Sequence, residues 1–300
     1  MAAGVLALAA CTSASHADQR GAPQTLHDGT ITVGSFDFAE SELLSELYSQ
    51  ALERGGYRVE RAFDLGPREF VAPALDRGLV EFVPEYAGTA AQFFSVGSVT
   101  PGVTPARAHD ALVRSLAGHR LVALASAPAQ DANAFGVTRG TAARFGLRTL
   151  SDLARAAPHL VFGGPPECAS RPLCLLGLER GYGARFEAVV TTLDAGGPLT
   201  RQALREGEID VGLLFTSDPA VGGDGLVELT DDRALQPADN VTPIVRTEVA
   251  ERWGPTLVAR VDDVSARLTT GALRELNAQV MAGRTSRAVA TAWLDAQGLR

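Results

Sequence analysis

Residues 74–89 read ALDRGLVEFVPEYAGT, and residues 203–219 read ALREGEIDVGLLFTSDP. Each begins Ala-Leu and reaches a glycine (Gly78, Gly207) where a helix is expected to end in a left-handed cap. Each then runs through an apolar stretch of strand character and places an aromatic residue, Tyr86 or Phe215, just past the strand's carboxyl end. Ligands of open α/β sheets bind outside those ends. Two such units facing one another would bring Tyr86 and Phe215 to opposite walls of one cleft.

The same alternation extends in both directions. Residues 31–34 (ITVG) predict a short buried strand. Leu43, Leu44, Leu47, Tyr48, Ala51 and Leu52 then recur at helical spacing, and Gly55-Gly56 ends that helix. Strands are expected at 57–61 and 80–83, a helix at 107–116 and a strand at 121–124, followed by a crossing segment at 131–138. The rhythm restarts with strands at 160–162, 186–191 and 209–215, and a strand at 241–246 leads into a helical C-terminus. Strand and helix alternating through short loops predict an α/β fold with mostly parallel sheets. The early and late segments are expected to share one domain, with the middle inserted as a second.

Composition narrows the function. The 300 residues carry a net charge of −8, and all 27 basic residues are arginine. An acidic chain is a poor partner for nucleic acid, whose phosphates require clustered cations. Without lysine there is no Walker-type phosphate loop and no Schiff-base chemistry. The G-x-S-x-G elbow and the H-E-x-x-H helix are also absent, and the five histidines (His16, His27, His109, His119, His159) never fall at metal or triad spacing. A non-enzymatic protein without metal or cofactor is expected.

The N-terminus points to export. Residues 2–10 are small or apolar and end in Leu8-Ala9-Ala10-Cys11, an order that resembles the bacterial lipobox with Cys11 as the lipidated residue, although no arginine precedes it. Residues 12–25 are polar and small, as in a tether; an alanine-rich tail with a chance cysteine is the alternative. Cys168 and Cys174 remain as an even pair, read either as a disulfide of an oxidising compartment or as two free buried thiols.

Beyond these patterns, residues 31–300 resemble the ABC-transporter substrate-binding proteins for glycine betaine, choline and related osmoprotectants (the ProX/OpuAC-like group). The resemblance rests on ITVGSFDFAES (31–41), ALDRGLVEFVPEYAGT (74–89), TLSDLA (149–154), FGGPPECASRP (162–172), YGARF (182–186), ALREGEIDVGLLFTSDP (203–219) and LTDDRALQPADNVTPIV (229–245). It implies a two-lobe periplasmic-binding-protein (type II-like) clamp with two crossover strands. One lobe is expected from 31–132 plus 239–300, the other from 133–238, after a signal and tether at 1–30. It implies a monomer outside the cytoplasm, lipid-anchored or periplasmic, that delivers a small solute to membrane permease subunits. A sensor ectodomain, or the same clamp with an aromatic or non-betaine solute, is the alternative.

Relatives hold a quaternary ammonium group in a box of aromatic rings, because ring faces attract a cation that makes no hydrogen bonds. Position by position, the resemblance assigns two rings to Tyr86 and Phe215. The third position falls on Asn133, after Asp131, and the fourth near Ala238, so two rings of a possible four are missing; Phe135 fills part of the gap if the register slips by two. Arg171, in the ASRP string, is expected to clamp a ligand carboxylate, with Thr89 donating near a helix start. Some relatives carry lysine where this chain has Phe36, which exchanges a cation for an aromatic face and leaves Arg171 as the expected cationic anchor.

Overall fold

The computed structural model describes Met1 and residues 29–100, 102–219 and 225–300. Cys11 and the lipobox-like segment lie outside the described residues. Ten strands occur among those residues: β1 (Thr30–Gly34), β2 (Arg58–Ala62), β3 (Phe82–Tyr86), β4 (Leu121–Ala123), β5 (Asn133–Thr138), β6 (Val161–Gly163), β7 (Ala188–Val190), β8 (Val211–Phe215), β9 (Leu226–Glu228) and β10 (Val241–Arg246). They form two five-stranded mixed sheets, ordered β2-β1-β3-β10-β4 and β7-β6-β8-β5-β9. Helices cover both, giving the α/β two-lobe architecture.

The paired Ala-Leu-to-glycine stretches fold alike. Helix α2, Arg68–Arg77, ends at Gly78 with φ +77°, and the helix Pro198–Glu206 ends at Gly207 with φ +75°. Left-handed backbone at both positions is why each helix stops at glycine. Each then feeds a buried parallel strand, β3 or β8, which also pairs antiparallel with a strand leading to or from the other lobe. In the first sheet that partner is β10, with Val241 opposite Tyr86; in the second it is β5, with Asn133 opposite Phe215.

The crossing segment lies earlier than the sequence indicates. Residues 133–138, expected to cross, are strand β5 inside the second sheet, bonded to β8 and β9. The chain crosses just before it, where Ala127 N–H donates to Val241, Val241 N–H to Ala129 and Asp131 N–H to Asp239. The two crossing segments thus run antiparallel, side by side. Alternating apolar residues in 133–138 fit either a crossing or a core strand, and only the distant partners β8 and β9 decide.

Each lobe has its own core. In the first, helix α1 (Ala39–Arg54) packs Leu43, Leu44, Leu47 and Leu52 against Ile31, Val33 and Phe82. In the second, Phe135, Phe162 and Leu213 join Leu150, Leu153 and Leu178. Among the described residues no helix is long and apolar enough to cross a membrane.

Candidate functional site

A cavity of about 320 Å³ opens between the lobes at the carboxyl ends of β3 and β8. Its aromatic wall is built around Phe38, which follows β1. The Phe38 ring stacks on Phe36 (centroids 5.8 Å apart), on Tyr86 (6.3 Å) and, across the cleft, on Phe215 (5.7 Å). All four rings line the cavity. Phe93, on helix α3 (Ala87–Phe94), lines the outer mouth.

A cluster of carboxyls adjoins the rings. The Tyr86 hydroxyl donates to Glu40 Oε1 at 2.7 Å, so its polar end is satisfied and its ring is left to serve as wall. Ser217 and Asn277 donate to the other oxygen of Glu40. Asp131, in the first crossing segment, accepts from Ser217 N–H at 2.9 Å. Burial, followed by the neighbouring Glu40 carboxylate, pushes the Asp131 carboxyl well above the usual range, against the Ser217 bond. Burial and then Glu40 raise the Tyr86 phenol as well.

Asp239, in the second crossing segment, is pushed up to about 6 by burial, opposed by the Thr89 N–H and by Arg68. It lines the cavity, whereas Ala238, beside it, does not. Pro237 and the Ala238 carbonyl instead press on Gly88, where a Cβ would lie 2.5 Å from Pro237 Cγ and 2.8 Å from that carbonyl oxygen. Glycine is required there by close approach.

Two arginines reach the cavity. Arg68, at the start of α2, donates to Glu85 through Nε (2.9 Å) and Nη2 (2.9 Å), and through Nη2 to the Thr89 hydroxyl (3.0 Å). Its guanidinium lies over the Phe36 ring, 5.3 Å from the centroid. Arg171 stands at the rim, where Nη2 meets Glu69 Oε2 of the facing lobe at 2.7 Å. Burial would raise the Glu69 carboxyl, but the hydrogen bond and charge of Arg171 outweigh it and hold it below the ordinary value. The sulfurs of Cys168 and Cys174 are joined, with Cα atoms 5.2 Å apart, and close the turn that carries Arg171.

The family model for the substrate binding domain of ABC-type glycine betaine transport systems matches residues 29–296. The chain belongs to that family. It is thus a solute-binding protein of an ABC importer and works outside the cytoplasm. It is 26% identical over 280 residues to the glycine betaine-binding protein YehZ of Escherichia coli, covering 89% of this chain and 90% of that one. It is 27% identical over 262 residues to a glycine-betaine-binding protein of Pseudomonas aeruginosa, covering 84% and 82%. A crystal structure described as a glycine betaine/carnitine/choline ABC transporter superposes with a TM-score of 0.69 at 22% identity, covering 90% of this chain and 99% of that one, which speaks for the fold.

In this substrate-binding protein, the residues expected at the site divide into three groups. Tyr86, Phe215, Phe36, Asp131, Asn133 and Arg171 all line the cavity. Thr89 also lines it, but its N–H (2.9 Å) and its hydroxyl (3.3 Å) both donate to Asp239 Oδ1, and the hydroxyl accepts from Arg68, so its donors are engaged within the protein. Phe135 does not line it: 1% exposed, it packs on Phe162 (centroids 6.2 Å) in the core of the second lobe. Two residues further along β5 than Asn133, it lies beyond the point where the strand leaves the cleft.

Arg171 meets Glu69 across the rim, while Arg68 reaches the same cavity from the first lobe. Sequence reasoning missed Phe38, Glu40, Arg68 and Asp239. For Phe38 a signal existed: it stands in the quoted ITVGSFDFAES, two residues past Phe36.

Proposed function

We propose that the cleft binds a small quaternary ammonium solute of the betaine or choline type and delivers it to a membrane permease. The observation that carries this reading is the four-ring wall, Phe36, Phe38, Tyr86 and Phe215, backed by the carboxyls of Glu40, Asp131 and Asp239. Phe38 supplies one of the rings missing at the Asn133 and Ala238 positions. A desolvated ring over a cation contributes about 0.5–2 kcal/mol, and a neighbouring carboxyl that ionises when the cation arrives adds to the attraction. The volume lies at the small end of ordinary ligand pockets, about 300–1,000 Å³, which favours a compact solute.

The lobes are assigned to 31–132 plus 239–300 and to 133–238, in agreement with the strand membership of the two sheets. The protein acts as a monomer, tethered through a lipid on Cys11. Closure by rotation about the paired crossing segments traps the solute. Its closed form is held by Glu40–Ser217, Asn277–Ser217 and Glu69–Arg171, which join the two lobes. Isothermal titration with glycine betaine, choline, carnitine and ergothioneine tests the reading. Heat from at least one trimethylammonium compound at micromolar to low millimolar concentration is expected. Silence from all four, with binding of an uncharged solute, refutes it.

A further inference from the structure

We propose that the mouth of the cleft is a second subsite, in which Phe93 and Val96 of the first lobe and Leu173 of the second hold a short apolar substituent carried by the solute. The inference rests on the ammonium reading above and deepens it by naming what the ammonium group bears.

The cavity does not end at the four rings. Phe93, on helix α3, and Val96, just beyond it, line the same cavity, as do Pro172 and Leu173 of the facing lobe. Phe93 is 37% exposed and Val96 81%, so the cavity meets solvent at apolar side chains. It does so although Glu69 and Arg171 already join the lobes across the rim. A solute seated on the ring wall can therefore extend past that ion pair along these side chains.

The mouth is also held in shape. The Phe93 ring meets Phe94 edge-on (centroids 5.7 Å apart), and Phe94 in turn meets His119 (5.1 Å). The turn that carries Val96 is fixed at Gly97, whose N–H donates to Gln92 Oε1 at 3.1 Å. Across the cleft, the Leu173 carbonyl accepts from Asn133 Nδ2 (3.0 Å) and Gln236 Nε2 (2.9 Å), and the next residue is the bridged Cys174. Apolar surface fixed in this way loses little freedom when a ligand covers it, and covering it relieves its contact with water. A charged or strongly hydrated substituent would leave that surface wet, whereas an alkyl or aryl one covers it. The cavity, about 320 Å³, limits the substituent to a few carbons.

The test follows trimethylammonium ions by calorimetry: tetramethylammonium, its propyl and pentyl homologues, and choline, in which a hydroxyl replaces the terminal methyl of the propyl compound. In wild type, affinity should rise about 2- to 4-fold per added methylene, and the propyl compound should bind about 2-fold or more tightly than choline. In Phe93→Ser/Val96→Ser the gain per methylene should disappear. Phe70→Ser removes a ring that is 67% exposed but does not line the cavity, and should keep the wild-type slope. Melting curves confirm that each variant is folded; if the double variant is not, Val96→Ser alone carries the test and should lower the slope. A wild-type series without gain, or choline binding more tightly than its propyl isostere, overturns the inference and leaves the ammonium reading standing. A slope unchanged in the serine variants, or abolished by Phe70→Ser as well, overturns the assignment to this mouth. If wild type binds none of the four ions, the ammonium reading falls and this inference falls with it.

Discussion

Replacing Asp239 with asparagine should stabilise the protein at neutral pH and flatten its stability profile. Asp239 is 1% exposed, and burial lifts its carboxyl from 3.8 to about 6 despite the Thr89 N–H and Arg68. Between those values the folded chain binds more protons than the unfolded one. The contribution of this group therefore falls as pH rises through the window, and it stays lost above pH 6. At about 1.36 kcal/mol per pH unit, the displacement from 3.8 to about 6 amounts to about 3 kcal/mol. Asparagine keeps an oxygen for the Thr89 N–H, now at 2.9 Å, but never ionises. The variant should exceed wild type by about 2–3 kcal/mol at pH 7.5, with the gap closing toward pH 4.

Urea titrations at pH 4.5, 5.5, 6.5 and 7.5, followed by circular dichroism, measure this directly. Carboxyls held below their ordinary values, such as Glu53 and Glu248, titrate lower and cancel because both proteins contain them. Asp131 is raised like Asp239 and cancels too. A variant less stable than wild type at pH 7.5, or a difference that does not vary with pH, refutes the reasoning.

Three further outcomes follow from the same geometry. An ammonium ligand favours the ionised form of Asp239, so affinity should be about 10-fold weaker at pH 5 than at pH 7.5, and Asp239→Asn should reduce that dependence to the part carried by Asp131; calorimetry at both pH values decides. Phe38→Ala removes the ring that joins Tyr86 to Phe215 and should weaken ammonium binding by about 2- to 30-fold with little change in secondary structure. Gly88→Ala forces a methyl against Pro237 and the Ala238 carbonyl, which are ring and backbone and yield little; it should cost about 1–3 kcal/mol in a denaturant titration.

What was legible in the sequence was local. Tyr86 and Phe215 were placed because a helix cap, a strand and a ring follow within one short segment, and neighbours along the chain determine that geometry. Phe38 escaped because its value lies in touching Phe215, on the other lobe and far away in sequence. A hydroxyl near a helix start attracts anions, which points Thr89 toward a ligand; that its N–H also meets Asp239, 150 positions away, is invisible in the local sequence. Which carboxylate each cleft arginine meets, Glu85 for Arg68 within its own lobe and Glu69 for Arg171 across the cleft, is likewise set by distant parts of the chain. Phe135 shows the limit for strands: alternation specifies a face, but how far along that face the cleft extends depends on the helices packed against it.

Two acidic groups of the cleft also lie in the segments that join the lobes. Asp131 and Asp239 occupy the two crossing segments, and the Asp131 N–H donates to the Asp239 carbonyl at 2.9 Å. From this shared point their side chains diverge. Asp131 accepts from Ser217 in the second lobe, and Asp239 accepts from Thr89 in the first. A cation seated on the ring wall acts on both carboxyls and favours the ionised form of each. An ionised carboxylate is the stronger acceptor, so the bonds to Ser217 and Thr89 tighten as the cation arrives. An uncharged solute of equal size should therefore fill the cleft without drawing either carboxyl toward its ionised form.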